Sequence, residues 1–156
     1  MIKKIVFSVA MALAVSNVSW AEDVDIATLE QKAVEGDARS QFKLGEAYEF
    51  GKGVEKNPEK AFELYTKAAH QGDRSAQTNL GFLYDTGTGT KQDYAAAMTW
   101  YKAAANQGEL AAMYNIALLY EDGRGVKKDV DTAKIWYKKA CDLGDKESCV
   151  KLDKLQ

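Results

Sequence analysis

Small and apolar residues recur along this chain at helical spacing, and the whole pattern is then copied. Between residues 38 and 50, Ser40, Leu44, Ala47 and Tyr48 fall three or four apart, on one face of a helix. The same face returns as Ala76, Leu80, Leu83 and Tyr84, and again as Ala112, Ile116, Leu119 and Tyr120. A second segment starting near residue 58 places Ala61, Tyr65 and Ala68 in a stripe. It returns as Ala97, Tyr101 and Ala104, then as Ala133, Tyr137 and Ala140. The interval is 36 residues each time. Self-similarity at such a period marks one supersecondary unit copied and stacked.

Start and stop signals keep the same phase. Gly36, Gly72, Gly108 and Gly144 fall where the second helix must end, and glycine adopts the left-handed C′ conformation without a Cβ clash. An acid follows each one: Asp37, Asp73, Glu109 or Asp145, suited to cap or charge-complement the next helix. Paired glycines such as Gly51 and Gly53 sit in the loop after the first helix. Asn57, Asp93 and Asp129 then cap the second. The single proline, Pro58, stands at N1, where its missing N–H costs nothing. Each unit therefore predicts two antiparallel helices, A over about 38–50 and B over about 58–71. The expected layout is an N-terminal half-unit, full units at about 37–72, 73–108 and 109–144, and a C-terminal half-unit.

Leu80-Gly81-x-x-Tyr84-x-x-Gly87-x-Gly89, then Asp93-x-x-x-Ala97-x-x-Trp100-Tyr101-x-x-Ala104-Ala105-x-x-Gly108, resembles the Sel-1-like repeat, a relative of the tetratricopeptide repeat. The resemblance implies an all-α fold, an α/α right-handed superhelical solenoid of two-helix repeats with helix A on its concave side. Leu64 replaces the tryptophan of Trp100 and Trp136. Ala117 and Asp153 replace Gly45 and Gly81, and Asp153 implies a less tightly packed last helix.

The N-terminus reads differently. Lys3 and Lys4 precede an apolar run from Ile5 to Val15, too short to span a bilayer, and Ser19-Trp20-Ala21 supplies small residues for a signal peptidase. Residues 1–21 are expected to be a cleaved export signal, leaving residues 22–156 as one repeat domain in the periplasm or secreted beyond it. Cleavage removes two lysines and no acids, taking the net charge from −2 to −4. So mildly acidic a chain has no electrostatic reason to bind nucleic acid or an anionic membrane. No stable membrane insertion is expected after cleavage, and no low-complexity tract is present.

Cys141 and Cys149 are the only cysteines. Cys141 ends a B helix and Cys149 lies in the following A helix, across the turn at Gly144. In an exported chain an even pair at this spacing reads as a disulfide stapling the last helix, contributing about 2–3 kcal/mol. It also resembles the pairing in exported cysteine-rich Sel-1-like repeat proteins, which carry more than one pair. The competing readings are a redox couple or a metal site, although two thiols without a nearby histidine make a poor zinc site. No metal and no cofactor is expected.

Candidate chemistry is sparse. Ser40-x-x-Lys43 and Ser148-x-x-Lys151 match the S-x-x-K spacing of penicillin-recognising enzymes, but the serines share a slot with Ala76 and Ala112, and no S-D-N or K-T-G motif accompanies them. Some cysteine-rich relatives carry a penicillin-hydrolysing description, so the rival reading is a hydrolase of β-lactams or cell-wall peptides. The G-x-G loops recur at one phase and read as helix stops rather than phosphate cradles. His70, the only histidine, falls near an exposed helix end. Trp100 and Trp136 share a packing slot.

What remains is surface. Lys43, Asn79 and Asn115 share one A-helix slot, a ladder able to hydrogen-bond an extended backbone. Glu46, Phe82 and Leu118 share the next, where a helix facing water needs no apolar group. Packing of Phe82 and Leu118 against neighbouring helices is the alternative. The expected function is a non-catalytic, monomeric module binding a protein or peptide on the concave face. The resemblance adds a finer version, an immunity or inhibitor protein against a toxic effector.

Overall fold

The computed structural model describes residues 25–155. The expected signal over residues 1–21, with its cleavage point after Ala21, lies outside them. The described residues form eight helices: α1 (Ile26–Val34), α2 (Ala38–Phe50), α3 (Pro58–His70), α4 (Arg74–Thr86), α5 (Tyr94–Asn106), α6 (Leu110–Asp122), α7 (Val130–Asp142) and α8 (Lys146–Lys154). Even-numbered helices are A-type and odd-numbered ones B-type. Each packs on its neighbours in sequence, so the molecule is a one-dimensional solenoid of two-helix repeats. Among the described residues no helix is long and apolar enough to cross a membrane.

The punctuation works as written in the chain, with one exception. The carboxylates of Asp37, Asp73 and Asp145 accept from the backbone N–H of Ser40, Ala76 and Ser148 at 2.7, 2.8 and 3.0 Å. Glu109 makes no such cap. It instead approaches Arg74, with Nε to Oε2 at 3.4 Å, and joins two successive A helices. Gly36, Gly72, Gly108 and Gly144 all have φ between +83° and +103°. At each of these turns the N–H of the following acid reaches back to a carbonyl in the B helix, as Asp73 does to Ala68 at 3.1 Å.

Within a unit the core is a tyrosine ring laid on a bare stretch of helix. Tyr65, Tyr101 and Tyr137 are completely buried. A Cβ added to Gly45 would stand 2.7 Å from the Tyr65 ring, and one added to Gly81 the same distance from Tyr101. Ala117 fills that slot in the third unit, also fully buried. In α8 the slot holds Asp153, which is exposed, and Ser148 is the helix's only buried residue. The last helix is therefore the least tightly packed of the A helices.

Between units, one clamp recurs with a change of chemistry. Gln41 Nε2 donates to the carbonyl of Ala33 at 3.0 Å, and Gln77 Nε2 to that of Ala69 at 3.2 Å, each across eight residues. The same eight-residue step at the last junction is the disulfide Cys141–Cys149, with Cα atoms 4.8 Å apart. A covalent bond thus replaces a buried hydrogen bond at the α7–α8 junction. Reduction, or Cys149→Ser, should lower stability by about 2–3 kcal/mol. Urea unfolding measured with and without reductant checks this. The loss of amide-exchange protection should centre on α8.

Candidate functional site

The A helices present a continuous face built from side chains that the core does not use. One column runs Lys43, Asn79, Asn115 and then Lys151. Lys43 is exposed and the other three are half-buried. The adjacent column runs Glu46, Phe82 and Leu118. The structure separates its two apolar members. Phe82 is 46% exposed, whereas Leu118 leans on the buried cluster of Ala117, Ala133 and Tyr137. Phe82 is thus the exposed apolar side chain of this column.

A third column runs beneath these two and escaped the sequence reading. Glu49, Asp85 and Glu121 recur in phase, each an acid, and each sixteen residues before a core tyrosine. The hydroxyl of Tyr65 donates to Glu49 Oε2 at 2.6 Å, and that of Tyr137 to Glu121 Oε2 at 2.5 Å. The middle rung differs. Asp85 is one methylene shorter and almost fully buried, and its carboxylate is held by Arg124 Nη1 at 2.6 Å. The Tyr101 hydroxyl is left without a hydrogen-bond partner among the described residues. In the third rung Lys151 Nζ joins Glu121 at 3.3 Å.

These neighbours set the protonation of the rungs. Burial, then the Glu49 acceptor and its charge, push the Tyr65 phenol far up. Tyr137 is raised by burial and then by Glu121. Tyr101 is raised by burial and by the Asp85 charge, against an opposing pull from Arg124. All three phenols stay neutral donors at any physiological pH. Burial pushes the Glu121 carboxyl up, but the bonds from Tyr137 and Lys151 outweigh it and leave it below the usual range.

The other sequence candidates resolve into packing. Ser40 and Ser148 are buried, Ser148 with no partner for its hydroxyl. Lys151, the amine of the second S-x-x-K, is committed to Glu121. Gly51, Gly87 and Gly123 terminate A helices in the left-handed region. His70 is exposed, with its ring edge-on to Trp100 at 5.1 Å. Trp100 and Trp136 are half-buried against the core clusters.

The Sel1 repeat model matches three times, over residues 38–73, 74–109 and 110–145. The chain belongs to the Sel1 repeat family. Two solved structures of Sel1 repeat proteins are similar over most of it. A Sel1 repeat protein from Oxalobacter formigenes is 38% identical over 83% of this chain and 53% of its own, with a TM-score of 0.79. A protective antigen of uropathogenic Escherichia coli strains, displaying the same fold, is 37% identical over 80% of this chain, with a TM-score of 0.76. This chain spans about half the length of the first and covers 27% of the second. Cysteine rich protein B of Helicobacter pylori shares the fold at 24% identity and a TM-score of 0.62, over 82% of this chain and 97% of its own. No curated protein matches this chain in sequence. Sel1 repeats are protein–protein interaction modules.

Two predictions follow the three rungs. Tyr65→Phe and Tyr137→Phe each remove a bond to a carboxylate and should cost about 1–2 kcal/mol, whereas Tyr101→Phe removes an unpaired hydroxyl and should be neutral or slightly stabilising. Thermal unfolding of the three variants checks the order. Because Glu121 titrates lower folded than unfolded, its contribution is complete above its ordinary pKa and fades as pH falls through the folded value. Glu121→Gln should therefore flatten the acid limb of the stability–pH curve below about pH 4.5.

Proposed function

We propose that this Sel1 repeat protein is an exported binding module that takes an extended segment of a partner protein along its A-helix face, the concave side of such a superhelix. The observation that carries this reading is Phe82. A large aromatic side chain stands 46% exposed in the middle of the face, with half-buried Asn79 and Asn115 beside it. Exposed apolar surface among polar groups favours an interface. Primary amides carry both donors and an acceptor, so Asn79 and Asn115 suit the alternating N–H and C=O of an extended backbone. Lys43, Glu46 and Leu118 frame the same strip.

Export is supported by the signal-like N-terminus and by the Cys141–Cys149 disulfide, since such bonds persist in oxidising compartments. A monomer is favoured by the two ends. Lys32 and Asp153 put charges in slots where inner units bury Ala68 or Gly45 against the next helix. Such polar end faces keep a solenoid from growing. The finer version, neutralisation of a toxic effector, rests on the family resemblance.

The test is affinity capture from a periplasmic extract with the oxidised protein. Phe82→Ala should weaken retention of the captured partner about tenfold or more, as loss of an aromatic anchor does. Ser40→Ala and Ser148→Ala should leave it intact. A labelled β-lactam that acylates Ser40 or Ser148 would contradict this reading in favour of hydrolysis.

A further inference from the structure

The three rungs beneath the A face share one phase of the repeat, and in two of them the carboxylate is paired with a cation. In the middle rung Asp85 is neutralised by Arg124, reaching back from the loop after α6. In the third, Glu121 is neutralised by Lys151, reaching back from α8. Each inner carboxylate therefore holds a basic side chain supplied by the following unit. The two cations come from different slots, so it is the carboxylate's requirement that recurs rather than one residue type.

The first rung has the carboxylate and lacks the cation. Glu49 accepts from Tyr65 at 2.6 Å, as Glu121 does from Tyr137. The two slots that deliver the cation elsewhere hold Asn79, in the phase of Lys151, and Thr88, in the phase of Arg124. Neither carries charge, and among the described residues no Lys, Arg or His lies within ion-pair distance of Glu49. Glu46 adds a second negative charge that acts on the same Tyr65 hydroxyl. Glu46, Glu49, Asn79 and Thr88 are all half-buried rather than sealed, and exposed Phe82 stands one turn along α4 from Asn79.

We infer that the first rung is a subsite for a lysine or arginine side chain of the partner, which takes the place that Arg124 and Lys151 occupy in the other two. The occupied rungs are the template. The third shows that a glutamate already holding a tyrosine hydroxyl also accepts a nitrogen cation, and both show that the cation comes from the next unit. At the first rung the next unit is α4, which offers half-buried Asn79 and exposed Phe82 but no cation, so the incoming side chain is assigned to a partner lying across these two residues. The apolar part of the same partner segment rests on Phe82. The subsite rests on the binding reading above and adds the chemistry of the partner, a basic residue beside an apolar one.

The experiment is an amide 1H–15N titration of the oxidised protein with N-acetyl-arginine amide and N-acetyl-lysine amide, with N-acetyl-glutamine amide as the uncharged control. Both cationic probes should give saturable shifts gathered at Glu46, Glu49, Asn79 and Phe82, and the glutamine probe none. Glu49→Gln should weaken the response about fivefold, the upper end for a partly exposed charge pair. Asn79→Lys should abolish it, because that substitution supplies the internal cation as Lys151 does for Glu121. It should also raise the melting temperature, which shows that the variant is folded. Shifts scattered over the surface, or a response that persists in Asn79→Lys, would overturn the inference. Failure here is separable from failure of the binding reading. A captured partner that is lost on Phe82→Ala but kept by Glu49→Gln and Asn79→Lys would retain the face and discard the basic side chain.

Discussion

The contact on which the structure depends is the tyrosine ring of each full unit's B helix lying on a glycine, or in the third unit an alanine, of its A helix. Gly45 and Gly81 leave no room for a Cβ under Tyr65 and Tyr101. That closeness fixes the separation of the two helices and excludes water from the whole ring. The hydroxyl of that ring lies one turn further along helix A, four residues on, where an acid stands in every full unit. One packing decision therefore also sets the polar architecture of the A face. The array is a stack of these contacts, and in α8 the glycine slot holds Asp153.

Repetition makes the departures informative. The junction clamp is a glutamine amide on a backbone carbonyl at Gln41 and Gln77, and a disulfide at Cys141–Cys149. Among the described residues α8 is the least buried A helix, so a stronger link is placed where packing is weakest. The rungs depart in the same way. Shortening glutamate to aspartate at Asp85 moves the carboxylate from the tyrosine to Arg124, and leaves Tyr101 with a neutral phenol and no acceptor. Buried polar groups are costly when unpaired. The middle rung is accordingly held by its ion pair and its packing rather than by a tyrosine hydrogen bond.

Most of the fold was legible in the sequence because glycine, proline and capping residues report local backbone geometry, and their phase reports stacking. The bounds of α2 and the start of α3 at Pro58 follow from them directly. Glu109 does not, since a glutamate can either cap its own helix or reach Arg74, and only the neighbouring unit decides. The candidate face was partly legible. A slot table picks out Phe82 and Leu118 equally, but Leu118 is half-covered by the cluster around Tyr137, and that depends on three-dimensional packing. The acidic column was within reach of the same table. Its role was not legible there, because the tyrosine hydroxyls that meet Glu49 and Glu121 come from a different helix and only packing brings them together.

The central claim is that the tyrosine–glycine packing frees one face, that of the A helices, to hold a partner. Hydrogen–deuterium exchange of the oxidised protein, alone and saturated with its captured partner, tests it most directly. Slowed exchange in peptides spanning Asn79–Thr86 and Asn115–Asp122, with α3, α5 and α7 unchanged, is the predicted result. Slowing confined to the B helices, or to the glycine loops between helices, would contradict it.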